Sequence, residues 1–352
     1  MNTNPLPASP EGKPRFAYWK PLLFLAVLIG GLFYVKWEPY FHKAILAATN
    51  HDIGGSILAK TPEPSLAAAW DYSVVYFKAV WKAAILGILL GSLIQVLLPR
   101  DWMKRFFGQR TFGSTVAGGI SSMPGMMCSC CAAPVAVGMR RQSGSVGAAL
   151  AFWIGNPVLN PATIIFMGFV LGWKFAALRI LAGIVLVFGV SHWAGRLVKD
   201  DDKITAELPQ TPGPKPYSGS VAVRWMKTLW SMFWTVIPVY FIAVFLLGAV
   251  RAWLFPAIDP AIGSSILVLI GLALAGTLFV IPTASEIPIA KTMMSLGLGS
   301  GPAAALMMTL PAVSLPSLFM VRKAFPARVL WFVAGMVALI GIVTGLIAMT
   351  FL

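Results

Sequence analysis

The motif CSCC, which begins at Cys128, contains all three cysteines of this 352-residue chain. Thiolates and thioethers are soft ligands that suit Cu(I), Zn(II) and trivalent arsenic, and three sulfurs match the number that an arsenic(III) centre accepts. Two methionines stand directly before the motif and add further soft sulfur atoms. We therefore predict a transient site for a soft metal or metalloid, with these ligands: Cys128, Cys130 and Cys131, with Met126 and Met127 in addition.

Two other roles for the cysteines stay open at this point. Free cysteine is small and semi-apolar, so the motif could pack a tight turn, and clustered thiols could also sense redox state. A disulfide between the adjacent Cys130 and Cys131 would be strained, which favours free thiols. A closed tetrahedral Cys/His zinc site is not supported, because His42, His51 and His192 all lie outside the motif.

The composition places these sulfurs in a membrane protein. The chain is 58% hydrophobic and 11% charged, far from the roughly 25% charged residues of soluble domains. Its apolar blocks are continuous, which predicts spanning helices instead of a strand barrel. The blocks long enough to span lie near 18 to 36, 72 to 98, 145 to 171, 175 to 197, 226 to 250, 302 to 320 and 328 to 352.

The net charge of +15 reflects basic residues at the ends of these blocks, which indicates membrane topology and not nucleic-acid binding. If five segments are assigned to the cytoplasmic side, they contain 18 of the 27 lysines and arginines. These segments are 1 to 20, 99 to 111, 140 to 143, 196 to 227 and 322 to 328. We predict a multi-pass protein of the bacterial inner membrane with a cytoplasmic N-terminus and an uncleaved first span.

An internal repeat appears when the sequence is shifted by 154 residues, which aligns Pro134 with Pro288 and Pro157 with Pro311. Repeats of this kind define homologous halves of a fold. The predicted organisation is an N-terminal tail with the first span and an external loop at 1–67, permease repeat 1 at 68–198, a cytoplasmic linker at 199–221 and permease repeat 2 at 222–352.

The charge distribution makes both ends of 112–139 cytoplasmic, so this stretch is predicted to be a re-entrant hairpin with CSCC near its tip. Each half then has three spans and one re-entrant helical hairpin, and the second half is inverted relative to the first. Inverted-topology repeats are common in secondary transporters. The alternative treats 112–139 as one full span and gives nine crossings with parallel repeats.

Four helix breaks fall in two matched pairs, at SSMPGMMCSCCAAP and FVIPTASEIP and at GNPVLNP and TLPAVSLP. Broken helices inside a membrane are tolerated where they line a cavity or are buried in protein. Two hairpin tips and two broken spans that meet near the midplane predict a substrate site. Its candidate residues are Cys128, Cys130, Cys131, Asn156, Asn160, Thr283, Ser285 and Ser314.

Glu286 is the one carboxylate that the sequence places inside a hydrophobic stretch. An acidic residue inside the membrane is a candidate for binding the coupling ion or the substrate, so we predict that Glu286 carries the coupling proton. The alternative pairs Glu286 with Lys291, five residues on. Lys78 and Lys82 are the other intramembrane charges that the sequence suggests; Lys78 is expected to reach an interface, and Lys82 lies deeper.

The run CSCCAAPVAVGMRRQSGSVGAALAFWIGNPVLNP and its later partner IPTASEIPIAKTMMSLGLGSGPAAALMMTLPAVSLPSL resemble the bacterial predicted-permease family that includes the organoarsenical efflux permease ArsP and the YraQ-type permeases. The resemblance covers about residues 70 to 350. It implies an inner-membrane permease for a small solute, with some relatives linked to export of trivalent organoarsenicals and others to copper or zinc. Family members commonly carry Cys-x-Cys-Gly at the tip; Cys128 and Cys130 match it, and Cys131 replaces the glycine.

The leading hypothesis is a proton-coupled secondary transporter that exports a thiophilic metal or metalloid species, such as a trivalent organoarsenical. A second hypothesis is a permease for a small sulfur-containing or organic solute, with structural cysteines. A membrane thiol redox relay is the third, and it lacks a second thiol pair to accept electrons. No GxxxxGK[ST] motif occurs, and no enzyme activity or cofactor is expected. The expected partners are the lipid bilayer and the solute, with a homo-oligomer left open.

Overall fold

The computed structural model describes residues 19–56, 65–198, 220–255 and 262–352, and these residues contain helices and no strands. Seven helices in these ranges are long and apolar enough to cross a membrane, as the number of apolar blocks predicts. They are α1 (Trp19–Asn50), α2 (Leu66–Leu97), α6 and α7 together (Val146–Val170), α8 (Trp173–Arg196), α9 (Val221–Leu254), α12 and α13 together (Ser300–Val321) and α14 (Ala327–Phe351).

The first helix is longer than the sequence predicted. It was expected at 18 to 36, but α1 continues to Asn50 through a π-helical turn at Phe33–Trp37. The helix continues through the polar residues at the end of the apolar block. Lys36 is buried against the protein, and Glu38 is exposed. A π-helical turn inside an α-helix often marks a functional position.

Two pairs of shorter helices lie between the spans. The first helix pair is α4 (Phe112–Ser122) and α5 (Ser129–Arg141), and a separate short helix, α3 (Arg100–Phe107), precedes it. The second helix pair is α10 (Ile266–Leu278) and α11 (Glu286–Ser295). At 1.5 Å per residue, each arm is about 15 to 20 Å long, which is short of the roughly 30 Å of a bilayer core.

Each helix pair is closed at its base by a main-chain hydrogen bond. The N–H of Ser145 donates to the carbonyl of Phe107 at 2.7 Å, and the N–H of Gly299 donates to the carbonyl of Gly263 at 3.0 Å. The chain therefore enters and leaves each pair at the same place. The two bonds also correspond to one another, since Ser145 and Gly299 are 154 residues apart.

Helix boundaries recur at the same 154-residue interval. The starts at Phe112, Val146 and Trp173 correspond to the starts at Ile266, Ser300 and Ala327. The broken spans divide at matching residues too, because Asn160 precedes α7 (Pro161–Val170) and Ser314 precedes α13 (Leu315–Val321). The proline and glycine pattern that repeats in the sequence thus ends helices at equivalent positions.

Close packing of α2 against α5 fixes the cysteine motif in the protein interior. Gly87 and Gly91 face α5, where an added Cβ would run into the carbonyl oxygens of Cys131 and Pro134. Small residues four apart allow helix backbones to approach this closely. Substituting either glycine would push α5, and the thiols at its start, away from α2.

Of the predicted linker at 199–221, only its last two residues are described, and the N-terminal tail before Trp19 lies outside the described residues as well.

Candidate functional site

The cysteine motif forms the tip of the first helix pair. Met126 adopts a left-handed backbone with φ of 48°, and α5 then begins directly after Cys128. The Sγ atoms of Cys128 and Cys131 are 2.9 Å apart, and all three thiols are free and buried. These two residues have C-x-x-C spacing, and one helical turn brings residues at this spacing together.

Cys130 lies in a different direction. Its Sγ atom is 3.4 Å from the Oγ atom of Ser314, which also lies 3.3 Å from Ser129 Oγ. Within the described ranges, no three Cys, His, Asp or Glu side chains are grouped to hold a metal ion. The three-sulfur arrangement predicted from the sequence is therefore absent from this conformation, and a pair of sulfurs, Cys128 and Cys131, stands in its place.

The second helix pair contributes Thr283 to the same place, together with a lysine from the first span. The Nζ atom of Lys36 donates to Thr283 Oγ1 and to the hydroxyl of Tyr40, both at 3.2 Å. Thr283 is also a neighbour of the Cys128 thiol. The first span thus takes part in the site, and Lys36 is 5% exposed there.

Tyrosine hydroxyls complete this polar cluster. The Tyr240 hydroxyl is 2.7 Å from that of Tyr76, and Tyr240 is a neighbour of the Cys130 thiol. The hydroxyl of Tyr72 donates to the carbonyl of Val280, in the break of the second helix pair. These groups satisfy main-chain and thiol atoms that the helix breaks would leave without partners in an apolar interior.

The predicted asparagines have structural contacts in the first half. Asn156 Oδ1 accepts the N–H of Met127 at 3.4 Å, which ties the broken span to the tip of the first helix pair. Asn160 caps α7 by accepting the N–H of Ala162 at 3.1 Å. Ser285 makes main-chain hydrogen bonds, among them its N–H to the carbonyl of Pro282, and its side chain does not cap α11.

Glu286 is buried and forms an ion pair with Arg179, whose Nη1 atom is 2.8 Å from Glu286 Oε1. The alternative partner suggested by the sequence is wrong, because Lys291 donates to the main-chain carbonyl of His51. Glu286 is the one buried carboxylate in the described part of the chain. Its second oxygen, Oε2, has no hydrogen-bond partner among the described residues.

Arg179 also satisfies main-chain carbonyls at both broken spans. It donates to the carbonyls of Pro157 and Val158 in the first broken span and to that of Met307 in the second broken span. Proline has no N–H, so Pro161 and Pro311 leave the carbonyls four residues earlier, Pro157 and Met307, without their helical donors. One guanidinium therefore replaces donors that prolines removed from both halves.

Sequence reasoning missed two buried cations of this site, Lys36 and Arg179. A signal was present, because each lies within or at the edge of a predicted apolar block at 18 to 36 or 175 to 197. Lys78 and Lys82, which the sequence analysis named instead, are exposed in the structure. Charge inside a predicted span is thus the signal, and burial decides which charge belongs to the site.

A cavity of about 580 Å³ extends beside the first helix pair toward this cluster. Its walls are almost entirely apolar and include Leu28 and Leu32 of α1 and Met103 of α3. Met127 and Asn156, next to the cysteine motif, lie at its boundary as well. Such a space could hold the apolar part of a small molecule.

Buried ionic groups, paired broken helices and, in the described part of the chain, seven helices suited to crossing a membrane indicate a membrane transport protein. The model of the predicted permease family ArsP_1 matches residues 118–350, and the chain belongs to this family. It is 54% identical over 349 residues to the UPF0718 protein YraQ of Escherichia coli K12, covering 98% of this chain and 99% of that protein.

A more distant relative is the UPF0718 protein MJ0584 of Methanocaldococcus jannaschii, which is 23% identical over 330 residues. The alignment covers 76% of this chain and 90% of that protein. No solved structure matches the chain.

Proposed function

We propose that this permease exports a thiophilic metal or metalloid species, such as a trivalent organoarsenical, across the bacterial inner membrane in a proton-coupled cycle. The observation that carries the proposal is the 2.9 Å separation of Cys128 Sγ and Cys131 Sγ in a buried cluster where both halves meet. Two sulfurs this close can bind one soft atom together.

The paired thiols fit a metalloid that has two exchangeable bonds. A mono-organic arsenic(III) dihydroxide would react with Cys128 and Cys131 to form two As–S bonds and release two water molecules, with the thiol protons leaving in that water. The arsenic keeps its carbon substituent and its oxidation state. Cys130 becomes a third ligand only if its side chain turns away from Ser314, which would suit a metal ion or an inorganic arsenic centre.

We further propose that the two helix pairs are re-entrant hairpins in inverted repeats. Their short arms and closed bases support the hairpins. The inversion is supported by contacts with α14: Arg140, at the first base, donates to Ala324 just before this helix, and Ser300, at the second base, donates to Ala348 near its end. The bases therefore lie near opposite ends of one 25-residue helix.

The boundaries 1–67, 68–198, 199–221 and 222–352 follow from this arrangement, with the N-terminus in the cytoplasm. Contact between Arg140 and Ala324 supports this orientation, because it puts two of the basic segments, 140 to 143 and 322 to 328, together on one side. An excess of lysine and arginine marks the cytoplasmic side of a membrane protein. Solute would then enter along the apolar cavity, which leads from α3 to Met127.

Proton coupling is assigned to Glu286. Ionised Glu286 binds Arg179, which holds carbonyls of both broken spans, so the pair fastens the halves together. Protonation of Glu286 would remove half of this ion pair and loosen that connection. A conformational change needs a ligand that favours one state over the other, and the proton would serve as that ligand.

Two other functions have support of their own. A permease for a small sulfur-containing or organic solute is supported by the apolar cavity, with the cysteines packed structurally against α2. A thiol redox relay is supported by the C-x-x-C spacing of Cys128 and Cys131. The relay still lacks a second thiol pair, because all cysteines of the chain lie in this motif.

Export from cells separates these functions. A deletion strain that carries the wild-type gene should accumulate less phenylarsenite and copper than the empty strain, and the triple Cys→Ser variant should not rescue it. Serine is close in shape but is a poor ligand for soft ions. Full rescue by the triple variant at equal membrane abundance would leave the cysteines structural and favour the organic-solute permease.

A further inference from the structure

Lys36 carries a charge that no described carboxylate balances. Its Nζ atom donates to two neutral hydroxyls, those of Tyr40 and Thr283, and lies 5.1 Å from the centre of the Tyr40 ring. Within the described ranges, the acidic groups that form salt bridges do so with His42 and Arg179. A buried charge in an apolar surrounding is strongly unfavourable without a counter-ion, so this position favours an anion.

The surroundings of Lys36 add to this preference. Helices α5 and α11 both begin at the cluster, and a helix N-terminus carries partial positive charge from its free N–H groups. Broken helices in transporters direct such ends toward anionic groups of a substrate. Glu286, at the start of α11, is already paired with Arg179 and does not neutralise Lys36.

The soft ligands lie next to this charge. Thr283 accepts from Lys36, and Lys36 lies close enough to Cys128 and Cys131 to interact with them electrostatically. The Sγ atoms of these two cysteines are 2.9 Å apart. The residues of one cluster thus offer two kinds of recognition. Positive charge selects an anion, and sulfur selects a soft atom within it.

We propose that Lys36 is the anion-binding residue of the transport site and that the cargo is a soft anion, a species that combines negative charge with a thiophilic or sulfur atom. Thiolate complexes of metals and metalloids belong to this class. The proposal rests on the proposed function and narrows its substrate class. A bare metal cation would be repelled by Lys36 and would have to enter as such a complex. A neutral arsenic(III) dihydroxide can bind the thiols but gains no stabilisation from Lys36, so its anionic thiolate complex is the preferred cargo.

The test measures charge selectivity at the cysteines without any transport. Full-length protein in lipid nanodiscs is treated with two methanethiosulfonate reagents of similar size, the anionic sulfonatoethyl and the cationic trimethylammonioethyl compounds, and modification is followed by intact mass. Once each rate is divided by the reagent's rate with a free thiol in solution, wild-type protein should favour the anionic reagent. Lys36→Met should lower the ratio of anionic to cationic rates by at least about tenfold, because a nearby charge acts on both reagents with opposite sign.

Lys36→Arg keeps the charge and should keep the ratio. Lys43→Met is the matched control, since Lys43 is an exposed lysine on the same helix. The proposal is overturned if the wild-type protein shows no preference between the reagents or prefers the cationic one, and this result needs no variant. It is also overturned if Lys36→Met leaves the ratio of the two rates unchanged. Lys36→Gln supplies a second neutral variant if Lys36→Met does not fold. Failure of the proposed function would appear instead in the export assay of the Cys→Ser variant.

Discussion

Arg179 Nη1 lies 2.8 Å from Glu286 Oε1, and this buried ion pair joins residues that are 107 positions apart in the chain. Arg179 belongs to α8 and Glu286 to the start of α11, so the pair connects the two halves of the molecule. The three carbonyls that Arg179 also binds lie beside helix breaks. The pair therefore helps to stabilise the interrupted helices of the two broken spans.

Removing one partner of this pair should be costly. Glu286→Gln leaves the Arg179 charge buried without its counter-ion, and we expect a loss of roughly 3–5 kcal/mol of stability. Arg179→Met should cost at least as much, because three carbonyls lose their donor as well. Thermal unfolding in a fixed detergent checks both variants, with Glu286→Asp as the charge-retaining control. Equal melting temperatures for wild type and Glu286→Gln would contradict a stabilising pair.

The same variant tests coupling. A glutamine side chain does not titrate near neutral pH, so Glu286→Gln should lose uphill transport driven by a pH gradient and retain exchange of labelled substrate. Both activities are measured in proteoliposomes that contain equal amounts of folded protein. A variant that still concentrates substrate under an imposed pH difference would show that the proton travels elsewhere.

Single cysteine variants should differ in a defined order. Cys128→Ser and Cys131→Ser each break the close sulfur pair and should reduce phenylarsenite export by tenfold or more, which corresponds to about 1.4 kcal/mol. Cys130→Ser should have a smaller effect, because Cys130 faces Ser314. Export from everted vesicles gives the rates. Three equal losses would favour a three-sulfur site over the pair.

Topology is tested with single cysteines in a background that lacks the native three. Cysteines in place of Arg105 and Ser143 flank the first helix pair and should both be labelled from the cytoplasm by a membrane-impermeant maleimide. A cysteine in place of Ser295, near the second base, should be labelled from the periplasm. Periplasmic labelling at Ser143 would favour nine crossings with parallel repeats.

Asn156 should stabilise the tip through its bond to the Met127 N–H. Asn156→Ala removes this acceptor and should cost about 1–3 kcal/mol, since it leaves a buried polar group unsatisfied. Asn160→Ala, which removes the cap of α7 and leaves the bond to Met127 in place, provides the comparison. The readout is the denaturation midpoint together with the alkylation rate of Cys128. An unchanged alkylation rate in Asn156→Ala would mean that this bond does not hold the tip.

Periodicity and composition were enough to predict the spans and their breaks. A continuous apolar block has to satisfy its main chain internally in a bilayer, so block length predicts a spanning helix. Prolines end or open helices through local geometry, which is why the breaks that follow Pro157 and Pro311 were predictable from the repeat. The sequence also directed attention to CSCC, because the clustering of all cysteines is visible without a fold.

Partner choice among distant residues was decided by the tertiary structure. The nearby Lys291 was one expected partner of Glu286, but the chain path brings Arg179 to it across 107 positions. Lys36 was assigned to the end of a span, yet α1 continues past it and buries it beside Thr283. Ion pairs and cation sites of this kind depend on which helix faces meet. Local sequence patterns determine helices and breaks, whereas packing between helices determines which polar groups share one site.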